Sequence, residues 1–229
     1  MHRTSRRTAL RRGLTIAAAA GMSVLMSTSV TACSNNSGSS AGATTAAGYT
    51  LTEVPGFDFS LAIPTDWSTL TPDDLDDDAL VNTVAEALGQ DAESVRESAD
   101  TFHLISVDAD AEGFAENLVV SQYELEDALP PEEELAEVTA DYQVDSSNYV
   151  QRETGSGADA VLYTASGTRG ETGEDFAIAL MAIATGSGPT SAAGATASPD
   201  AVITATFVLI EAASADRAQE LADVVIGSV

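Results

Sequence analysis

Phe176-Ala177-Ile178-Ala179-Leu180-Met181-Ala182-Ile183-Ala184-Thr185 is the stretch that decides the fold. It reads as a strand, and it stands third in a series of four such runs, at 149–153, 160–166, 176–185 and 202–210. Glycine-rich turns separate the first three. Short apolar runs bounded by turn residues are strand signals. Four of them in succession predict an antiparallel meander. The last gap, 186–200, is a Ser/Gly/Ala/Thr/Pro stretch with one charge, and a connection of that length is usually disordered or functional. Ser214-Ala215-Asp216 then caps a closing helix with Ala218, Leu221, Ala222 and Val225 on one face.

Upstream, 49–54 alternates as a first strand. Phe57-Asp58-Phe59-Ser60-Leu61-Ala62-Ile63 also alternates, with Phe57, Phe59, Leu61 and Ile63 on one face, and Pro64-Thr65-Asp66-Trp67 ends it. Trp67, the only tryptophan, is expected as a core plug. Thr71-Pro72-Asp73-Asp74 is a helix start, with a Thr cap, Pro at the first helical position and carboxylates at the positive end of the helix dipole. Leu80, Val81, Val84 and Leu88 recur at helical spacing up to Gly89, and Asp91 caps a second helical segment reaching about Ala99. Strands are expected at 102–107 and 118–123, and a helix at 131–142 through Leu135, Val138 and Tyr142. The expected fold class is α+β, an antiparallel β-sheet flanked by helices in α/β/α layers.

The N-terminus is of a different kind. Arg3, Arg6, Arg7, Arg11 and Arg12 precede an apolar run from Leu14 to Met26, and small residues follow. A basic region, a short apolar region and a small-residue cleavage site make a secretory signal peptide. The apolar run falls short of the ~20 residues a membrane span needs. Val30-Thr31-Ala32-Cys33 resembles a bacterial lipobox. The resemblance implies a diacylglyceryl group on the Cys33 thiol and cleavage between Ala32 and Cys33. Acyl chains contribute ~0.8 kcal/mol per buried methylene, and two or more anchor a protein stably. Ser5-Arg6-Arg7-Thr8-Ala9-Leu10 partly resembles a twin-arginine signal, so general and twin-arginine export both stay open. The expected organisation is a signal peptide at 1–32, the lipidated Cys33 and a flexible uncharged tether at 33–48, and one domain at 49–229.

All 36 acidic residues follow Cys33, whereas only Arg96, Arg152, Arg169 and Arg217 remain among the 9 basic ones. Four against 36 gives the mature chain a formal charge of −32. So acidic a surface repels nucleic acid and anionic headgroups, which excludes a nucleic-acid partner and leaves the acyl chains on Cys33 as the membrane contact. Cys33 is the only cysteine, so no disulfide forms within the chain.

The residue types for catalysis are sparse. The mature chain has one histidine, His103, flanked by Phe102 and Leu104 and therefore read as a strand residue. Serine and cysteine nucleophiles normally need a histidine base. Lysine is absent, which excludes Schiff-base and Ser-Lys chemistry and a phosphate-binding Gly-Lys loop. One His and one Cys build no zinc site. Asp108-x-Asp110-x-Glu112-Gly113 matches the first half of a calcium loop, but Val119 stands where the bidentate Glu belongs. Asp73-Asp74-Leu75-Asp76-Asp77-Asp78 reads as a solvated helix start. No enzyme, cofactor or metal site is expected.

Phe59-Ser60-Leu61-Ala62-Ile63-Pro64-Thr65-Asp66-Trp67 resembles the opening of PsbP-like domains, and Phe114-Ala115-Glu116-Asn117-Leu118-Val119-Val120 resembles their entry into a central strand. Together with the lipobox, residues 49–229 are similar to the actinobacterial LpqN/LpqT-type lipoproteins. That resemblance implies an antiparallel sheet between helices and no catalytic residues. It also implies a non-enzymatic binding or accessory role in the cell envelope, with a lipid, a glycolipid or a membrane assembly as partner; some members are linked to mycolate-lipid export. This chain departs from the family in its acidity and in its long 186–200 connection. The other reading of the composition is an acidic structural or divalent-cation-binding surface protein.

Overall fold

The computed structural model describes residues 46–125, 128–140, 142–168, 175–185 and 203–229. Ala32, Cys33, the tether up to 45 and the 186–200 connection lie outside the described residues.

Strands β1 (Tyr49–Glu53) and β2 (Ser60–Pro64) form an antiparallel hairpin of their own, with Tyr49 opposite Pro64. There follow β3 (Ser68–Leu70), α1 (Asp78–Ala87), α2 (Ala92–Glu97), β4 (Leu104–Val107), β5 (Asn117–Leu125), α3 (Glu132–Ala136), β6 (Gln143–Glu153), β7 (Asp159–Thr168), β8 (Asp175–Ala184), β9 (Ile203–Ala212) and α4 (Ala215–Ser228). Strands β3 to β9 make one seven-stranded antiparallel sheet in the order β3-β4-β5-β9-β8-β7-β6. The expected meander is β6-β7-β8-β9. Its last strand then pairs with β5 along the whole of β5, from Asn117 opposite Glu211 to Leu125 opposite Ile203.

Both faces of the sheet are covered. On one, Met181 and Ile183 of β8 and Val208 and Ile210 of β9 meet Leu221, Ala222 and Val225 of α4, and the β1–β2 hairpin extends the same layer with Val54, Leu61 and Ile63. On the other, α3 lays Leu135 over Tyr163, Leu180 and Phe207, while α1 and α2 lay Val81, Val84 and Val95 over Leu70, Ile105 and Val119. The arrangement is helix–sheet–helix, as expected. Strand β8 is buried on both faces from Phe176 to Ile183, which is why its sequence runs apolar without alternating. Each fully buried Val, Leu or Ile contributes about 1.5–3 kcal/mol.

Several boundaries differ from the sequence reading. The segment at Thr71 makes only a 3-10 turn, Pro72–Asp74, because the Asp74 carboxylate accepts from the Thr71 amide and hydroxyl (2.9 and 2.6 Å) and closes it. Helix α1 starts afresh at Asp78, where Asp77 accepts from the Ala79 and Leu80 amides. The strand expected from Phe57 begins only at Ser60, leaving Phe57 in the hairpin turn. Strand β4 begins at Leu104, so His103 precedes it rather than lying inside it. The helix expected over 131–142 ends at Ala136 and continues as a 3-10 turn, Glu137–Thr139. The three-residue β3 was not foreseen.

Candidate functional site

An apolar layer lies between the hairpin and the sheet. Trp67, in the turn between β2 and β3, is 9% exposed in the same core as Val54, Leu61, Ile63, Leu104, Leu118 and Val120. It is the plug that the sequence suggested. Alternation in β4 and β5 points Leu104, Leu118 and Val120 to this face, and Ile105 and Val119 to the other.

Three sets of contacts hold the hairpin down. At its base, the Arg217 guanidinium of α4 donates to Glu116 Oε2 (3.0 Å) and to the Tyr49 hydroxyl (3.4 Å), and pairs with Glu220 Oε2 (3.1 Å). Burial opposes the charge on Arg217, yet Glu116 and Glu220 raise its pKa above the ordinary arginine value. Midway, the Ala62 amide donates to Ser228 Oγ (2.9 Å) near the end of α4. At the tip, Phe57 stands edge-on to the His103 ring at 4.9 Å and lies 5.1 Å from Phe59. His103 thus packs against an aromatic turn, and its backbone N–H donates to the Val120 carbonyl.

The acidic runs do local work. Asp74 and Asp77 close the turns named above, and Asp78 pairs with Arg96. The calcium-like Asp108-x-Asp110-x-Glu112 run occupies the β4–β5 connection, where Gly113 takes a φ of 115°. Burial pushes the Asp108 carboxyl above the ordinary carboxylate value, and the negative charges of Asp66, Glu116 and Asp110 add to the rise. Among the described residues no group of three or more His, Cys, Asp and Glu is placed to hold a metal ion. No described helix is long and apolar enough to cross a membrane.

One polar pair escaped the sequence. Asn117 and Glu211 stand opposite each other across β5 and β9, both buried, with Asn117 Nδ2 donating to Glu211 Oε2 at 3.1 Å. They are 94 residues apart, so only the strand order brings them together. Among the described residues every buried side-chain nitrogen and oxygen has a hydrogen-bond partner.

No family profile matches the chain, and no curated protein matches it. Among solved structures it is similar to LpqN of Mycobacterium tuberculosis, a protein described as involved in cell envelope biogenesis, at 12% sequence identity and a TM-score of 0.43, over 75% of this chain and 84% of that one.

Proposed function

We propose that this chain is a membrane-anchored extracytoplasmic lipoprotein, a non-catalytic binding or accessory module of the cell envelope held by acyl chains on Cys33. The observation that carries the reading is Val30-Thr31-Ala32-Cys33, placed after a basic and then an apolar leader and containing the only thiol of the chain. Two features of the folded part support it. The first strand starts at Tyr49, leaving an uncharged stretch after Cys33 to act as a tether. Its one histidine packs on Phe57. The partner is an envelope lipid, a glycolipid or a membrane assembly.

Cys33→Ala tests the anchor. The variant should leave the membrane fraction and keep its leader, while the wild type yields a diacylglyceryl-modified N-terminus at Cys33 by mass spectrometry. A Cys33→Ala protein retained in membranes at wild-type levels overturns the anchor. Turnover of an ester or a glycan by the purified protein overturns the non-catalytic assignment. Native mass spectrometry with lipid extraction then separates the partners: a stoichiometric lipid supports a carrier, and a bare mass shifts the reading to docking on a membrane assembly.

The second reading, an acidic cation-binding surface protein, draws on the formal net charge of −27 over the whole chain. Its test belongs to the whole molecule and is given below.

A further inference from the structure

We infer that the β1–β2 hairpin is a latched flap: it lifts as a unit from the apolar layer beside α4, pivots on Thr65–Trp67, and is held shut by Arg217. The inference goes beyond the proposed anchoring and stands whether or not Cys33 carries lipid.

The topology permits the motion. Among the described residues the hairpin's two strands pair only with each other, and no ladder joins them to the seven-stranded sheet. One end of the hairpin leads back through Gly48 toward the N-terminus. The other is its single covalent link to the sheet, a short turn in which the Trp67 amide donates to the Pro64 carbonyl (3.1 Å). The hairpin can therefore leave without breaking any strand pairing. Elements outside the main ladder open at lower free energy than the core.

What holds it is side-chain contact, at three places. Val54, Leu61 and Ile63, each 2% exposed or less, face the layer. The Phe57–His103 contact closes the tip, and the Ala62 amide reaches Ser228. Arg217 acts at the base: it donates to the Tyr49 hydroxyl, which itself donates to Glu220 Oε1 (3.5 Å), while Glu116, just before β5, fixes the guanidinium. On the outer side of the hairpin Leu51 is 38% exposed, whereas Ala62 opposite it is 2% exposed beside Ser228 of α4. Opening uncovers the hairpin's apolar underside together with Leu104, Leu118 and Val120, which otherwise have no access to solvent or to an apolar ligand. Any pull on the preceding chain enters at Tyr49, beside the latch.

Thiol labelling of the full-length protein tests this. Val54→Cys places a thiol under the hairpin, and Val208→Cys places one in β9 as the control; both valines are buried. Labelling is mapped by peptide mass, so an unacylated Cys33 is read separately as failure of the anchor alone. Val54→Cys should label at least about tenfold faster than Val208→Cys, because it reports sub-global rather than global opening. Adding Arg217→Gln should speed labelling at 54 several-fold and leave 208 unchanged. Tyr49→Phe keeps the ring and removes only the hydroxyl, so it should act in the same direction by a smaller factor, and it decides the matter if Arg217→Gln does not fold. Equal labelling at 54 and 208 overturns the flap, and equal acceleration of both positions by either latch variant overturns the latch.

Discussion

Asp108 shows how much a single side chain depends on neighbours that its own sequence does not reveal. Burial disfavours its charge, and Asp66, Glu116 and Asp110 disfavour it further, so its folded pKa lies above the ordinary value of 3.8. For a carboxyl shifted upward, the favourable contribution is full below 3.8 and is lost as pH rises through the folded value. Near neutrality the ionised group therefore destabilises the fold. Asp108→Asn should raise the melting temperature at pH 7, and the gain should vanish in acid below the carboxylate range. An unchanged melting temperature at pH 7 would show that water screens the site fully. At this scale the sequence revealed residues whose role is set by their near neighbours: Trp67 as a plug, and Ser214 as a cap accepting from the Arg217 amide. It could not reveal Asn117 with Glu211, or Arg217 with Glu116, because strand order and helix placement make those pairs.

Among the elements, α4 and the β6–β7 turn meet backbone to backbone. The Gly155 amide donates to the Ile226 carbonyl (3.1 Å) and the Ser156 amide to the Val229 carbonyl (2.7 Å), satisfying carbonyls that a helix end leaves unpaired. A Cβ on Gly155 would overlap the Gly227 carbonyl, and backbone cannot give way as a flexible side chain does. Gly155→Ala should destabilise the protein by about 1–3 kcal/mol, the range for overpacking, as a lowered urea midpoint at unchanged slope. A midpoint equal to wild type would mean that the turn and α4 separate freely. Element boundaries were legible where one face is apolar. Helix α4 follows its period closely, whereas β7 is buried on both faces from Ala160 to Tyr163 and β6 extends back to Gln143 through six residues exposed on both faces, and neither strand leaves a period-two signal. The expected helix at Thr71 failed for a different reason: cap residues mark a turn's start, but only the apolar positions from Leu80 onward sustain a helix.

For the molecule as a whole, charge is the dominant condition. Each described Arg is already in an ion pair: Arg96 with Asp78, Arg152 with Asp223, and Arg217 with Glu116 and Glu220. Most carboxylates therefore repel one another without an Arg partner, and salt should stabilise the fold by screening them. Raising NaCl from about 20 mM to about 500 mM should raise the melting temperature steadily, since the Debye length shrinks to a few ångströms. Calcium at matched ionic strength should do no more than sodium. An extra calcium-dependent shift that saturates would favour the cation-binding reading, because a ligand of the native state stabilises by mass action. The layered α+β architecture was legible at this scale because layer order follows from the run of elements. The separation of the β1–β2 hairpin from the main sheet was not, since alternation marks a strand but not its partner.

The strand order also bears on how the chain is made. Strand β9, from the C-terminal part of the chain, sits between β5 and β8 and joins the two halves of the sheet. Until Ile203 has emerged, β5 and β8 are open edges rich in apolar residues, and neither half has α4 to cover it. Until then the two halves of the sheet cannot join. A chain interrupted before residue 203 is left with two sticky edges and no strand to join them, which exposes it to aggregation.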